Sequence, residues 1–255
     1  WASQHLNIEI GMGLHAQRWP GADYWLACTD KTLTLDELIR RSEVCVAGVD
    51  GGGLDDLFAL AIIGRERETK RWLHWAHCWA FDDVMRQRKD IAPRLLDFER
   101  AGDLTICKQV GDDVRGACDY IDQVEAASLF PVESPAIGLD AHGISELLDE
   151  LEARGFAEDR FVSVGQGWKL QQAVLTLPRR LKDRKLIHGG SGLMAWNVGN
   201  AKPELKGSNY IVTKQVAGSA KIDALMATFN AAMLMFGNPE GVGASVYETR
   251  GIRVV

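Results

Sequence analysis

Val44-Cys45-Val46-Ala47-Gly48-Val49-Asp50 runs directly into Gly51-Gly52-Gly53, a short apolar stretch that ends in an acid and a tight turn. That pattern predicts a buried strand with a carboxylate at its end. Working outward, residues 57–63 predict a second strand and residues 71–79 a third, alternating enough to be half-buried. Short connections between three successive strands imply an antiparallel meander. Residues 82–101 predict a helix interrupted at Pro93, residues 104–110 a strand and residues 112–124 a helix. Ala136-Ile137-Gly138-Leu139-Asp140 then repeats the opening pattern, an apolar strand running into an acid. A helix over 144–154 follows, with Leu147, Leu148 and Leu151 on one face and Gly155 as its stop. Residues 161–164 predict a short strand, 168–182 an amphipathic helix imperfect around Pro178, and 210–214 a late strand. Residues 223–236 predict a helix apolar on nearly every side and therefore buried, ended by Asn238-Pro239.

A meander, then alternating helices and strands, then a buried helix predicts an α/β fold: a mixed sheet of the ribonuclease-H type flanked by helices. Residues 1–43, with a turn at Trp19-Pro20-Gly21-Ala22-Asp23 and a short helix opening at Thr34-Leu35-Asp36-Glu37-Leu38, read as a lead-in or linker that packs on the core. Residues 44–240 form the main domain and 241–255 a tail. With 255 residues, 46% of them apolar, the chain can bury one sizeable core. No apolar run approaches the ~18 residues of a membrane span, and the N-terminal residues lack the basic and apolar regions of a signal peptide. The chain does not begin with Met, as a fragment of a longer protein would not. Cys28, Cys45, Cys78, Cys107 and Cys118 form no CxxC pair, which predicts reduced, buried thiols rather than zinc ligands. The net charge of −6 argues against a protein that coats nucleic acid by charge. It is compatible with an enzyme that brings metal ions to DNA, since a carboxylate cluster is itself acidic.

If the two acid-terminated strands are neighbours, Asp50 and Asp140 converge at one sheet edge, where ligands tend to sit. Carboxylates that close repel, and a divalent cation relieves the repulsion; hard oxygen donors suit Mg²⁺ or Mn²⁺. Asp223, opening the buried helix, would complete the cluster. Each acid also has a local explanation: Asp50 as a turn residue, Asp140 as a helix cap, Asp223 as a cap or dipole partner. Asp55 and Asp56 read as solvated loop acids, one of which can approach the cluster, and Asp56 directly precedes the second strand. Lys221 is either an exposed cation or the partner of a carboxylate or scissile phosphate. The basic run Arg179-Arg180-Leu181-Lys182-Asp183-Arg184-Lys185 is either a solvated helix face or a phosphate-gripping strip beside the acids. His142 is a loop histidine within reach of substrate. Trp72, Trp75 and Trp79, on one strand, read as core or interface before a base-stacking platform.

Taken in order, Gly48-Val49-Asp50-Gly51-Gly52-Gly53-Leu54-Asp55-Asp56-Leu57-Phe58-Ala59-Leu60, Gly138-Leu139-Asp140-Ala141-His142-Gly143 and Lys221-Ile222-Asp223-Ala224-Leu225-Met226-Ala227 resemble the nuclease half of large terminase subunits of tailed phages and prophages. The resemblance runs from about residue 44 to 236, and the Lys-Ile-Asp-x-x-x-Ala segment is its most specific piece. It implies an acidic triad of Asp50, Asp140 and Asp223 binding two Mg²⁺ or Mn²⁺ ions, with Asp56 as an auxiliary acid. It further implies cleavage of concatemeric double-stranded viral DNA during packaging, in the cytoplasm of an infected or lysogenic bacterium, with a small terminase subunit and the portal as partners. Members of that family carry an N-terminal ATPase motor, whereas no GxxxxGK[ST] phosphate loop occurs here; an isolated nuclease domain or a truncated product is the expectation. Two other readings stand beside this one. The fold could serve as a non-catalytic DNA-binding or packaging-assembly module. Gly48-Val49-Asp50-Gly51-Gly52-Gly53 also resembles the first phosphate loop of actin-like sugar kinases, though Asp140-Ala141-His142-Gly143 fits their second phosphate turn poorly.

Overall fold

A computed structural model describes residues 18–52, 56–140, 144–214 and 220–241. Nine strands and nine α-helices are found among the described residues. The meander forms as its hydrophobic pattern requires. Strand β1 (Ser42–Asp50) pairs antiparallel with β2 (Phe58–Glu66), and β2 pairs antiparallel with β3 (Trp72–Phe81). Almost every residue of β1 and β2 is buried, so both strands lie in the interior of the sheet with protein on each face. The remaining strands add in parallel: β4 (Leu104–Cys107) and β7 (Leu186–His188) along β3, β5 (Ile137–Leu139) along β1, and β6 (Phe161–Ser163) along β5. The sheet order is β4-β3-β2-β1-β5-β6, with β7 sharing the free edge of β3. This is the mixed sheet flanked by helices expected of a ribonuclease-H-like fold.

Helices α1 (Ala22–Trp25) and α2 (Leu35–Arg41) precede the sheet. The α2 start is capped by the Thr34 hydroxyl accepting from the Glu37 amide. Trp19 and Trp25 are fully buried, and the Trp19 indole donates to the Val174 carbonyl at 2.9 Å, which ties this leading segment to the core. The helical stretch expected over 82–101, interrupted at Pro93, is two helices: α3 (Asp82–Gln87) and α4 (Ala92–Ala101). The break lies before Pro93, which sits in the first turn of α4, where its missing N–H costs nothing. Helices α5 (Asp112–Ala126), α6 (Ser145–Ala153) and α7 (Gln171–Lys182) follow close to the expected positions.

The stretch after Lys185 holds three elements that the hydrophobic pattern does not announce: β7, α8 (Gly192–Asn200) and β8 (Ala201–Lys206). The last pairs with β9 (Asn209–Lys214) as a separate two-stranded hairpin. Helix α9 (Asp223–Phe236) lies across β1, β2 and β5 and is the central helix of the molecule. Its close approach depends on Gly48 and Gly138. A Cβ on Gly48 would collide with the Ala227 carbonyl oxygen and the Ala231 amide nitrogen, and one on Gly138 would stand 2.7 Å from Leu234 and 3.1 Å from the Asn230 carbonyl oxygen. All five cysteines are buried and unpaired. No helix among the described residues is long and apolar enough to cross a membrane.

Candidate metal centre

The three strand- and helix-end acids meet because of register. Ala47, Gly48 and Val49 of β1 lie opposite Ile137, Gly138 and Leu139 of β5, and the Asp140 amide donates to the Val49 carbonyl at 3.3 Å. Asp50 and Asp140 are therefore the next residues on adjacent parallel strands, which run ~5 Å apart. Asp223 arrives from the other direction, as the first residue of α9. Its position is fixed by side chains of the surrounding elements. The Asn197 side-chain oxygen accepts from the Ala224 amide at 3.0 Å, the Asn200 side chain donates to the Lys221 carbonyl at 2.9 Å, and the Asn230 side chain donates to the Val49 carbonyl at 2.8 Å. These buried amides lock the α9 start and the β1 end to one another.

Electrostatics bind the same residues together. Burial is the largest cause raising the Asp50 carboxyl well above the ordinary carboxylate range, with the charges of Asp223, Asp140 and Asp56 adding to it. Asp223 is pushed up to about 7, first by burial and then by the charge of Asp56, although Lys214 and Lys221 pull the other way. Burial also works against the charge of Asp56. The hydrogen bond and charge of Lys221, with the charge of Lys214, outweigh it and leave that carboxyl below its ordinary value. Two carboxyls held above their usual range beside one held below it describe a site with more negative charge than its own lysines neutralise.

The two lysines stand differently. Lys221 is only 2% exposed and its ammonium is bonded to Asp56, so it lies beneath the acids rather than at their mouth. Lys214, at the end of β9, is about one-third exposed. Its Nζ stands 3.3 Å from Asp56 Oδ2 and 3.9 Å from Asp223 Oδ1. The sequence pattern predicts the strand that carries Lys214 but offers nothing to associate it with the acids, since six residues separate it from Lys221.

Among the described residues, no group of three or more histidine, cysteine or carboxylate side chains is drawn together tightly enough to hold an ion as it stands. The donor chemistry nevertheless fits a hard divalent cation. All the acids offer oxygen, and Asp223 Oδ2 is buried with no hydrogen-bond partner. A buried carboxylate oxygen left without a donor costs free energy that an ion would recover.

Other expected contacts lie elsewhere. Arg180 packs its guanidinium 3.7 Å from the centre of the Trp72 ring. Trp72 opens β3, six residues before Cys78, and Cys78 is in register with Ala59 and so with Asp50. At ~3.3 Å per residue the basic run lies about 20 Å along the sheet from the acids. Arg179 and Lys182, on the same last turns of α7, are exposed, and Lys182 stands 6.0 Å over the Tyr24 ring. The strip is thus not beside the acids, because α7 runs away from them to reach β7. Trp72 and Trp79 are buried core residues, and Trp75 packs on Tyr120 at 4.7 Å between ring centres. His142 and Asp55 lie outside the described residues.

Residues 27–238 match the family model described as "Terminase large subunit, endonuclease domain". No curated protein matches the chain. Among solved structures, the large terminase of bacteriophage HK97 is similar at 20% identity with a TM-score of 0.60, over 79% of this chain and 43% of that one. The large terminase nuclease of thermophilic phage G20c is similar at 12% identity with a TM-score of 0.48, over 74% of this chain and 81% of that one. Its magnesium-bound form gives 11% identity and a TM-score of 0.46, over 74% and 80%. The chain therefore spans less than half the length of the HK97 protein.

Proposed function

Because this chain belongs to the terminase large subunit endonuclease-domain family, we propose that it hydrolyses phosphodiester bonds of double-stranded DNA at Asp50, Asp140 and Asp223. The observation that carries this reading is the delivery of three sequence-distant acids to one sheet edge, one of them with a buried, unpartnered oxygen. Each local explanation taken singly, a turn or a cap, leaves that convergence unaccounted for.

Asp50, Asp140 and Asp223 would hold two Mg²⁺ or Mn²⁺ ions, with Asp56 beside them. Bound there, such ions supply an attacking water of lowered pKa and charge stabilisation at the leaving 3′ oxygen. The chain's own residues set the geometry for this. Asp50, at the end of the strand between β2 and β5, would be the central ligand of the set. Lys221 holds Asp56 from below and keeps it ionised. The α9 start, locked by Asn197 and Asn200, fixes Asp223 so that its free oxygen need not reorganise on binding. Arg179, Arg180 and Lys182 are proposed as duplex-phosphate contacts removed from the cut, and His142 as a contact near it.

In the whole protein this activity would cut viral concatemers during packaging, alongside an ATPase motor, a small terminase subunit and the portal, inside the bacterial host. Membership of a nuclease family leaves the sugar-kinase reading without support. A module that only binds DNA is separated by experiment. Purified chain is incubated with linear duplex in Mg²⁺, in Mn²⁺ and in EDTA, with Mn²⁺ binding followed by calorimetry. Metal-dependent shortening of the duplex supports the nuclease. A folded protein that leaves DNA intact and binds no Mn²⁺ contradicts it.

A further inference from the structure

Four carboxylates and two ammonium groups share this site, and the two lysines cannot serve the same purpose. Lys221 is buried and committed to Asp56. Lys214 reaches in from a different element, the β8–β9 hairpin, remains about one-third exposed, and divides its charge between Asp56 at 3.3 Å and Asp223 at 3.9 Å. At the longer distance it is an electrostatic neighbour of Asp223 rather than a hydrogen-bond donor to it. Asp223 Oδ2 remains unpartnered beside it.

We propose that Lys214 is a catalytic residue that shields the acids while no divalent cation is bound and donates to the non-bridging oxygens of the scissile phosphate once cations are in place. The inference rests on the nuclease reading. While the acids are unneutralised, Lys214 is a partly exposed positive charge 3.9 Å from Asp223, and its charge works against the burial and repulsion that raise Asp50 and Asp223. With those carboxylates neutralised, the attraction on Lys214 would be cancelled and its ammonium would be free to turn toward the mouth. There the anion left to meet it is the phosphate. A flexible four-carbon stem permits a shift of a few ångströms without moving the strand. Lys221, held beneath the acids, has no such path.

This role has an uncommon signature, because a group that competes with the metal yet assists the reaction should be missed in opposite senses. Mn²⁺ affinity is measured by calorimetry without DNA, and cleavage of a duplex is measured as kcat and KM, for wild type, Lys214→Met and Lys214→Arg. Melting followed by circular dichroism checks the fold. Lys214→Met should bind Mn²⁺ more tightly, by roughly threefold to tenfold, since a competing charge ~4 Å away is gone. It should cleave about 10²-fold more slowly in kcat, the usual cost of losing one charge-stabilising donor. Lys214→Arg, which keeps the charge, should recover part of the rate. Wild-type Mn²⁺ affinity in a folded Lys214→Met protein would overturn the shielding role, and a wild-type kcat would overturn the phosphate contact. If wild type itself neither binds Mn²⁺ nor cuts, the nuclease reading falls and takes this inference with it. If wild type cuts and Lys214→Met cuts as fast, only the inference falls.

Discussion

Asp223 concentrates the physics of the site in one side chain. It is buried, it faces other acids, and its carboxyl titrates near 7 instead of the ordinary 3.8. A carboxyl whose pKa is raised by folding binds its proton more tightly in the folded state, so its contribution is most favourable below 3.8. That contribution is lost as pH rises toward 7 and stays lost above it. Asp223→Asn removes the ionisation and leaves the shape. In EDTA, the Tm of this variant should therefore match wild type near pH 4, exceed it increasingly between pH 4 and about 7, and keep a constant lead above that. A lead that is flat across this range would show that Asp223 ionises in the folded protein as it does in water. Added Mn²⁺ should raise the Tm of wild type at pH 8 and have less effect on the variant. At this scale the sequence pattern identified the acids and offered Lys221 as the partner of a carboxylate, which it is for Asp56, but it did not offer Lys214. Asp50, Asp140 and Asp223 each follow or open a strongly apolar element, which any reading of hydrophobicity detects. Lys214 left no such trace, because its place depends on which hairpin folds over the site.

Elements bring those residues together, and α9 does most of the positioning. Its bounds, Asp223–Phe236, coincide with the expected ones because fourteen almost uniformly apolar residues admit no other frame. What hydrophobicity cannot convey is how near that helix must come to the sheet. Gly48 and Gly138 set that distance. Gly48→Ala should push α9 outward against backbone that cannot yield. We expect a loss on the order of 2–3 kcal/mol in urea unfolding, with cleavage falling as Asp223 leaves the edge. An unchanged denaturation midpoint would mean that the helix has room the structure denies it. The elements that sequence reading missed are those without a period. β7 has three residues, too few to alternate, α8 is buried nearly all round and carries Gly192 and Gly199, and β8 contains Pro203. Pro93 marked the interruption a few residues late, because a proline that starts a helix and one that breaks it look alike until the flanking turn is seen.

On the scale of the whole molecule, the proposed cleavage would require an acidic chain to meet a polyanion, and the acids and the densest basic run lie apart. The acids gather at the ends of β1 and β5, while the basic turns of α7 sit about 20 Å away along the sheet. If Arg179 and Lys182 bind phosphates, replacing both with Ala should weaken duplex binding to a similar extent for all sequences. The slope of log affinity against log salt should then flatten by about 0.9 for each phosphate that is no longer neutralised. An unaltered slope would identify them as solvated cations at a helix C-terminus, the ordinary place for such residues. The fold class was readable from element order: a meander, then alternating helices and strands, then a buried helix. The separation of the basic strip from that edge was not readable, because the path of α7 depends on β7, which has no signal of its own. The central claim concerns the edge itself, and cleavage of supercoiled plasmid in Mg²⁺, Mn²⁺ or EDTA by wild type, Asp50→Asn and Asp223→Asn tests it most directly. The account predicts nicked or linear DNA from wild type with either metal, intact plasmid in EDTA, and intact plasmid from both folded variants. Full cutting by either variant would contradict it.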